Sequence, residues 1–581
     1  MSKDILGHLP RPCSEFPRQF ADADLDLNSW ADLEPLFKDL SDRNIDSSQN
    51  LKIWIENWSE MESILKEQES RLYINMTCDT QDEKHEKAFA HYVAEIEPKL
   101  APIIDGLNKK LISSPAIGEL DSYYDHWIQD IRAQLELYRE ENIEIETKIA
   151  LTSQEYQKVT GSMTVEWQGE TTTLQVVNAE LENPDRTLRE KAWKTVWTRR
   201  FEDKDILNTH FKTLFDFRQN VSKNCGFDSY LPYIFKAKGR YDYTPKHCED
   251  FHDAIEKCVV PLNRKLLKAR AKTMGLEKLR PWDLAVDPLG RPALKPFENI
   301  EKLCEGTSKI FHGISSDFGD KFDTMQKMGL LDLDSRLGKA PGGYQCGLEE
   351  YRLPFIFMNA VGTNSDLFTL LHEGGHSLHQ FFMKGIHHTS YREIMAEIAE
   401  VASMSMELVG LDYIENIYPN PDDALRAKAD QFEDVIHILP WVAIVDAFQH
   451  WMYKHPDHSE AERNEKWLEL DRRFGAGDIV DWSGFEEYQA HQWQRQLHLF
   501  EVPFYYIEYG IAQLGAIGVF KNIRENKEQG IKMYTEGLSL GGSQGLPSLF
   551  EKTGIPFDFS IKTVEPLIKF VQDEIEKLET K

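Results

Sequence analysis

Apolar residues recur at helical spacing along most of the chain. In segments such as LNSWADLEPLFKDL and HYVAEIEPKLAPIIDGLNKKL they fall at positions i, i+3, i+4 and i+7, so they share one face of a helix. This pattern predicts a bundle of long helices over residues 1 to about 155, and further helices from about residue 200 onward. The chain is therefore predicted to be mainly α.

Three shorter stretches depart from this pattern. Residues 163–177 read MTVEWQGETTTLQVV, where two β-rich runs flank the turn sequence QGE, which predicts a β-hairpin. The sequence NPD at 183–185 predicts the start of another helix, because proline is tolerated in a first helical turn. The apolar run at 355–359 predicts a short strand, which we place at the edge of a sheet.

Length and charge narrow the classes of protein that fit. With 581 residues the chain is too long for one small core, so we expect about two to four compact units or one large elongated unit. The formal charge of −30 disfavours binding to nucleic-acid phosphates and to anionic membrane surfaces, although such a charge also simply keeps a protein in solution. No run of about 18 uncharged apolar residues occurs, so no membrane span is expected.

The cysteines indicate a reducing compartment. There are seven, an odd number, and none forms a CxxC pair, which favours free thiols over a disulfide frame or a thiolate zinc site. Residues 1–20 contain no apolar run typical of a secretion signal. The cytoplasm is therefore the expected location.

The sequence HEGGH at 372–376 carries the first candidate chemistry. His372 and His376 are four residues apart on a predicted amphipathic helix, so both imidazoles can bind one metal. Glu373 can reach the open coordination position and take a proton from the water that the metal activates. An HExxH string arises by chance in about one chain in twenty of this size, and a pair of ordinary histidines is the alternative.

Gly374 and Gly375 strengthen the case. Each glycine costs a helix roughly 1 kcal/mol relative to alanine, so two together suggest that a backbone or a substrate approaches closely.

A second predicted helix supplies candidates for the third ligand. It is expected to begin at a capping box, Ser390-x-x-Glu393, and to end near Val409. Four acidic residues fall near one of its faces: Glu393, Glu397, Glu400 and Glu407. A solvated acidic face is the alternative interpretation.

Helix geometry favours one of the four. The histidine pair lies about ten residues before the end of its helix, and an equal distance of roughly 15 Å along an antiparallel second helix reaches Glu400. Glu397, one turn nearer the connection, is the other candidate, or it orients a histidine ligand. His379 is expected at the surface or in support of a ligand.

Residues 498–510, HLFEVPFYYIEYG, form a second candidate cluster. Imidazole and phenol groups can donate hydrogen bonds to the oxyanion formed during peptide hydrolysis, and His498, Tyr506 and Tyr509 are the candidate donors. The two tyrosines are three residues apart, so they project from one side of a helix. Aromatic core packing is the alternative, and the spacing alone does not link this cluster to the histidine pair.

Taken together, LHEGGHSLHQ, EIAEVASMSMELVG and HLFEVPFYYIEYGIAQLG resemble the oligoendopeptidase F branch of the thimet oligopeptidase family, over roughly residues 115–575. The resemblance implies a mainly α, two-lobed helical zincin fold with a deep channel that admits only short peptides. It also implies a small β element near the active site, since RLPFIFMNA resembles the segment that pairs with the substrate backbone. Gly374 departs from the large apolar residue that the family more often has there, which removes no chemical group.

The resemblance also assigns roles. His372, His376 and Glu400 match the ligands of one zinc ion per chain, and Glu373 matches the general base. His498, Tyr506 and Tyr509 match the groups that bind the scissile carbonyl and the oxyanion. We expect three domains: residues 1–115 as an N-terminal helical region, 116–200 as an oligopeptidase F-type N-terminal domain with the hairpin, and 201–581 as the catalytic domain.

The sequence thus predicts a cytoplasmic zinc metallo-oligoendopeptidase that cuts internal bonds of short peptides, with no nucleic-acid or membrane partner. A related helical zinc carboxypeptidase is the nearest alternative, and a non-catalytic peptide-binding protein is an alternative of another class. Glu373, which a relic site would have lost, argues against the latter.

Overall fold

The fold is described from a computed structural model that covers residues 4–579 of the chain. Within those residues the mainly α prediction is confirmed, with 24 α-helices and five β-strands. Residues 1–3 and 580–581 of the predicted first and last domains lie outside the described residues. None of the described helices is both long enough and apolar enough to cross a membrane.

The helices follow one another along the chain as α1 (Trp30–Asp42), α2 (Ser48–Cys78), α3 (Glu83–His91), α4 (Glu97–Ser113), α5 (Asp125–Leu137), α6 (Glu140–Gly161), α7 (Leu174–Asn178), α8 (Arg186–Glu202), α9 (Lys204–Asn224), α10 (Tyr230–Ala237), α11 (Pro245–Ala254), α12 (Val260–Thr273), α13 (Ile300–Ile314), α14 (Ser316–Lys327), α15 (Asn364–Phe382), α16 (Ala396–Gly410), α17 (Pro421–Lys454), α18 (Glu460–Phe474), α19 (Glu486–Ala490), α20 (Leu497–Phe500), α21 (Tyr506–Glu525), α22 (Lys527–Leu538), α23 (Leu546–Lys552) and α24 (Ile561–Glu579). The strands are β1 (Thr164–Trp167), β2 (Glu170–Thr173), β3 (Leu331–Asp334), β4 (Tyr344–Leu348) and β5 (Leu353–Ala360).

The predicted hairpin is confirmed and is shorter than expected. β1 pairs antiparallel with β2, and the connecting Gln168 and Gly169 have φ angles of 54° and 92°. Two consecutive positive φ angles are typical of the type I′ turn, whose twist matches that of the flanking strands. The strand ends at Thr173, because Leu174 and Val177 then bury one face of the short helix α7. The helix predicted after 183–185 is also confirmed, and Asp185 caps it through the backbone N–H groups of Thr187 and Leu188.

A three-stranded sheet has the order β3-β5-β4, with β5 parallel to β3 and antiparallel to β4. The prediction that residues 355–359 form an edge strand is therefore wrong, since they lie in the central strand. Seven of the eight β5 residues are buried. A continuous apolar run of this kind is typical of a strand covered on both faces, whereas an edge strand more often alternates.

The chain forms two compact units, each built from three stretches of sequence. The first unit comprises Met1–Glu136, Lys295–Leu425 and Gly515–Phe557. The second comprises Leu137–Leu294, Arg426–Leu514 and Asp558–Lys581. These units describe spatial grouping, so the sequence-level boundaries after residues 115 and 200 stay a prediction.

Candidate metal centre

Helix α15, in the first unit, is fixed at its start by a capping box. The Thr363 hydroxyl accepts a hydrogen bond from the backbone N–H of Asp366 at 3.3 Å. The Asp366 carboxylate in turn accepts from the backbone N–H groups of Val361, Gly362 and Thr363 at 2.8–2.9 Å. This reciprocal capping satisfies amides that a helix start leaves without partners. The helix ends at Phe382, and a 3₁₀ turn continues to Gly385.

The predicted ligand residues converge. Nε2 of His372 lies 3.3 Å from Oε2 of Glu400, and Nε2 of His376 lies 3.8 Å from the same oxygen. One ligand atom of each residue lies within 4.8 Å of the others. A tetrahedral zinc ion with bonds of about 2.0–2.2 Å requires ligand atoms about 3.3–3.6 Å apart. The His372–Glu400 distance meets this requirement and the His376–Glu400 distance exceeds it by about 0.2 Å, so these side chains are placed to receive a divalent cation.

The two glycines permit this convergence in different ways. A Cβ atom on Gly375 would lie 2.5 Å from Cα of Ser403 and 2.6 Å from the carbonyl oxygen of Ala402, so the α16 backbone occupies its place. A Cβ atom on Gly374 would lie 2.6 Å from the ring of Phe311 on α13. The close backbone approach predicted from the glycine pair is confirmed at Gly375.

Helix α16 returns antiparallel to α15, because His376 meets Glu400 while His372, one turn earlier on α15, meets Glu407, two turns later on α16. Nδ1 of His372 donates to Oε1 of Glu407 at 2.7 Å. The hydroxyl of Ser403 donates to Oε2 of Glu400 at 3.1 Å. Glu407 and Ser403 thus orient two of the three converging side chains, as groups that support a metal ligand commonly do.

Sequence reasoning did not name Ser403, and it considered Glu407 only as a possible ligand. Its candidate for the orienting role was Glu397, whereas Glu407 has that role toward His372. Glu397 is buried on α16, one turn before Glu400. The sequence did contain a clue to the role of Glu407. It follows Glu400 by two helical turns, and on an antiparallel helix that position lies beside Nδ1 of His372.

The capping box predicted at Ser390 and Glu393 is wrong, because α16 begins only at Ala396. Glu393 is exposed and pairs with Lys66, so it does not belong to the acidic helix face. Tertiary contacts hold the preceding segment out of the helix. The backbone N–H of Gly542 donates to the carbonyl of Tyr391 at 2.8 Å, and the buried Arg392 bonds Glu349 at 2.7 Å.

His379 is buried and is therefore not the surface residue that was one expectation for it. Burial and the neighbouring His376 lower its pKa to about 3, so it is neutral.

The electrostatics of the ligand residues suit a cation. Burial alone would lower the pKa of His372, but hydrogen bonds with Glu400 and Glu407 raise it well above its usual range. Burial and the adjacent His372 lower the pKa of His376 to about 4. Burial opposes ionisation of Glu400, yet the hydrogen bond from His372 holds the pKa of Glu400 below its usual value. The carboxylates that favour a proton on His372 equally favour a divalent cation there.

Glu373 lies beside these ligands and is itself buried. Burial raises the pKa of Glu373 to about 7, against the lowering effect of His372 and of a hydrogen bond from the backbone N–H of Gln345. A carboxylate with a pKa near neutrality is well matched to accept and return a proton. Gln345 belongs to β4, so the prediction of a small β element near these residues is confirmed.

The second predicted cluster lies in the second unit. The ring centroid of His498 lies 4.9 Å from that of Tyr506 and 5.9 Å from that of Tyr509. The two tyrosine rings are 5.5 Å apart. The structure thus brings the three residues together, with Tyr505 at 5.7 Å from His498 as a neighbour that was not among the predicted donors. Phe504, just before them, has a φ of 63°, a strained value for a bulky residue.

A hydrogen-bonded chain fixes the tautomer of His498. Nε1–H of Trp441 donates to Oε1 of Gln496 at 3.2 Å, which directs the amide nitrogen of Gln496 toward Nδ1 of His498 at 2.7 Å. Nδ1 therefore accepts, and the hydrogen of the neutral imidazole resides on Nε2. Burial, with a contribution from Lys238, lowers the pKa of His498, which keeps it neutral. Burial raises the pKa of Tyr506, and interactions with Trp441 and Gln496 oppose that rise.

Replacing Gln496 with leucine is expected to release Nδ1 of His498, so that both neutral tautomers become populated. Nitrogen NMR of protein carrying ¹⁵N-labelled histidine measures this directly, because protonated and unprotonated ring nitrogens resonate far apart. Gln492→Leu, at another buried glutamine of the same stretch, is the control and should leave the His498 signals unchanged. A Gln496→Leu protein in which Nδ1 stays unprotonated would contradict the proposed chain.

Comparison with known proteins gives a family match over most of the chain. A profile described as peptidase family M3 matches residues 179–562, and a profile described as the peptidase M3 N-terminal domain matches residues 20–138. An oligoendopeptidase F homolog of Borreliella burgdorferi is 25% identical over 332 residues, which are 55% of this chain and 54% of that protein. Oligopeptidase PepF of Bacillus subtilis is 22% identical over 343 residues, which are 57% of this chain and 49% of that protein. The chain thus spans about half the length of these relatives in the matched region.

A solved structure of PZ peptidase A with an inhibitor is similar over nearly its full length. It superposes with a TM-score of 0.86 at 26% identity, and the match covers 96% of this chain and 99% of the other.

Proposed function

Because this chain belongs to peptidase family M3, we propose that it is a zinc-dependent oligoendopeptidase that hydrolyses internal bonds of short peptides. The observation that carries the proposal is the convergence of His372, His376 and Glu400 within 4.8 Å, with Glu373 beside them. The names of its relatives, an oligoendopeptidase F homolog and an oligopeptidase, support the substrate class.

His372, His376 and Glu400 would hold the ion. Two imidazoles and one carboxylate are a usual donor set for catalytic zinc, and they leave a coordination position open. When bound, zinc polarises the scissile carbonyl and lowers the pKa of a coordinated water to about 7. Glu407 keeps His372 in the tautomer whose Nε2 lone pair faces the ion, because its carboxylate accepts the Nδ1 hydrogen.

Glu373 serves as the general base and then the general acid. Its carboxylate accepts a proton from the attacking water and passes that proton to the amine that leaves. The backbone N–H of Gln345 on β4 lowers the pKa of Glu373 and so favours the ionised form that accepts the proton. His498, Tyr506 and Tyr509 keep the role that the resemblance assigns, donating hydrogen bonds to the substrate carbonyl and oxyanion. Nε2–H of His498 is the donor that Gln496 leaves available.

The backbone-pairing role is assigned to β4 in place of the segment that the resemblance suggested. Residues 356–360 of β5 pair with β3, and residues 353–357 pair with β4. Few backbone N–H groups of β5 are therefore free to pair with a peptide. β4 is an edge strand, and the N–H of Gln345 on its open side already faces Glu373. An extended peptide added along β4 would bring its own backbone beside the general base.

The two alternatives have less support. A carboxypeptidase of related fold has less support because two relatives of this chain are named as an oligoendopeptidase F homolog and an oligopeptidase. A non-catalytic binding protein would have no use for a buried carboxylate whose pKa is raised to about 7.

The seven cysteines all lie within residues 4–579 and form no disulfide there, which supports the cytoplasm as the location.

The test uses a fluorescence-quenched peptide of about ten residues blocked at both ends, which an endopeptidase cuts and a carboxypeptidase does not. We expect cleavage, loss of cleavage with a chelator, and recovery when Zn²⁺ is restored. Cleavage of the unblocked peptide alone, one residue at a time from its C-terminus, would favour the carboxypeptidase. Cleavage that persists after complete removal of metal would exclude both zinc enzymes.

A further inference from the structure

A second group of metal-binding side chains is buried in the second unit, apart from the residues discussed so far. Cys248 and His252 are four residues apart on α11, and Asp446 and His450 are four residues apart on α17. A spacing of four places each pair on one face of its helix. The structure turns these two faces toward each other, and all four side chains are buried.

The distances group three of these residues and place His252 against one of them. Ligand atoms of Cys248, Asp446 and His450 lie within 4.8 Å of one another. Nε2 of His252 lies 2.8 Å, and Nε2 of His450 lies 3.3 Å, from the same oxygen of Asp446. A tetrahedral ion with bonds of about 2.0–2.3 Å requires ligand atoms about 3.3–3.8 Å apart. The distance between His450 and Asp446 meets this requirement, and the distance between His252 and Asp446 would have to lengthen by about half an ångström.

Polar atoms in this cluster lack the partners that burial demands. Oδ1 of Asp446 accepts no hydrogen bond from any described residue, although the side chain is fully buried. Among residues 4–579, Nδ1 of His450 makes no hydrogen bond, and Nε2 lies 3.3 Å from the Asp446 oxygen without an aligned hydrogen bond. Buried polar atoms without partners are rare and costly, so such a group calls for an explanation. These atoms are donors of the type that bind metals, and they point to a ligand in their midst.

We propose that Cys248, His252, Asp446 and His450 bind a second divalent cation of the zinc class. One thiolate, one carboxylate and two neutral imidazoles balance the charge of a divalent ion, so the buried group becomes electrically neutral. Sulfur, nitrogen and carboxylate oxygen are all ligands that zinc accepts, and four protein donors would close a tetrahedral site as in a structural centre, leaving no place for substrate.

This ion would join α11 to α17 and support the turn that precedes α21. The ring of His450 lies 5.5 Å from that of Phe504, the strained residue of the turn. Gln449, the neighbour of His450, accepts a hydrogen bond from the backbone N–H of Phe504 at 2.6 Å.

With this site, the one zinc ion per chain expected from the resemblance becomes two divalent ions. No CxxC pair marks this site, because its two pairs of ligands come from helices that are distant in sequence.

Cobalt substitution tests the proposal, because thiolate ligands give Co²⁺ a strong near-ultraviolet charge-transfer band and imidazole or carboxylate ligands do not. The first centre contains no cysteine, so the band reports the second site alone. We expect two metal equivalents in the full-length protein, and one in His376→Ala, which should lose peptidase activity and keep the band. Cys248→Ser should lose the band, whereas Cys258→Ser, at a half-buried cysteine outside the cluster, should keep it.

The outcomes separate this proposal from the proposed function. One metal equivalent and no band in the wild-type protein would overturn the second site and leave the peptidase proposal intact. A band that persists in Cys248→Ser would assign the thiolate to another cysteine and overturn it equally. If Cys248→Ser does not fold, the metal count and the band in wild type and His376→Ala decide the question without it.

Discussion

Replacing Glu373 with glutamine is expected to lower kcat on a blocked peptide by about 10²- to 10⁴-fold, the usual contribution of a general base. Glutamine has the same shape as glutamate and can keep the hydrogen bond from Gln345. It cannot accept a proton from water, so the step that generates the nucleophile slows. The metal content should stay unchanged, because Glu373 is not one of the three converging ligands.

The measurement pairs steady-state kinetics with metal analysis on the same preparation. Glu393→Gln is the matched control, since Glu393 is exposed and pairs with Lys66 at the surface, and it should retain the wild-type kcat. A Glu373→Gln protein that cuts peptides at the normal rate would disprove the assigned mechanism. A variant that is inactive because its metal is gone would instead show that Glu373 acts through the ligands.

The residues that could be predicted from sequence are those whose positions follow from helix geometry. His372 and His376 share a helix face by their spacing, and Glu400 follows from the rise per residue once an antiparallel return is assumed. That assumption holds because Gly375 lets the α16 backbone approach within the distance at which a side chain would clash. The glycine pair was visible in the sequence, and its cost to the helix was the reason to expect a close contact there.

The features that could not be predicted depend on contacts between residues far apart in sequence. The start of α16 shifted from Ser390 to Ala396 because Gly542 and Glu349 hold the intervening segment, and neither contact has a local sequence signal. The central position of β5 depends on β3 and β4. The tautomer of His498 depends, through Gln496, on Trp441, which lies 57 residues earlier in the chain.

The same distinction applies to the two candidate metal centres. The first is visible because HExxH places two proposed ligands and the proposed base within five residues. In the second, each helix contributes one pair of unlike residues, Cys248 with His252 and Asp446 with His450, and each pair alone resembles ordinary helix surface. Only the facing of α11 and α17 makes them a donor set. Sequence reasoning therefore finds a candidate metal site when most of its residues lie in one helix. It misses a site whose residues are shared equally between two helices that are distant in sequence.

Replacing Glu400 with glutamine should weaken zinc binding more than any other glutamate change on α16. Among the three converging residues, Glu400 supplies the carboxylate, and its Oε2 lies within 4 Å of both histidines. We expect the affinity of this centre to fall by more than about 100-fold, the upper end of the effect of a supporting residue. Glutamine preserves the side-chain shape and can still accept the hydrogen bond from Ser403, so loss of charge is the main change.

Two neighbouring glutamates on the same helix provide a graded comparison. Glu407→Gln should weaken zinc binding by about 10- to 100-fold, because His372 loses the carboxylate that holds its Nδ1 hydrogen. Glu397→Gln tests the rival assignment, and it should leave zinc affinity closest to wild type if Glu400 is the ligand. Titration of each metal-depleted protein against a zinc-buffered indicator measures its affinities, and the binding step that differs between the variants belongs to this centre. A larger loss in Glu397→Gln than in Glu400→Gln would move the third ligand one turn toward the start of α16, and the position of the ligand could then no longer follow from the antiparallel return of the helix.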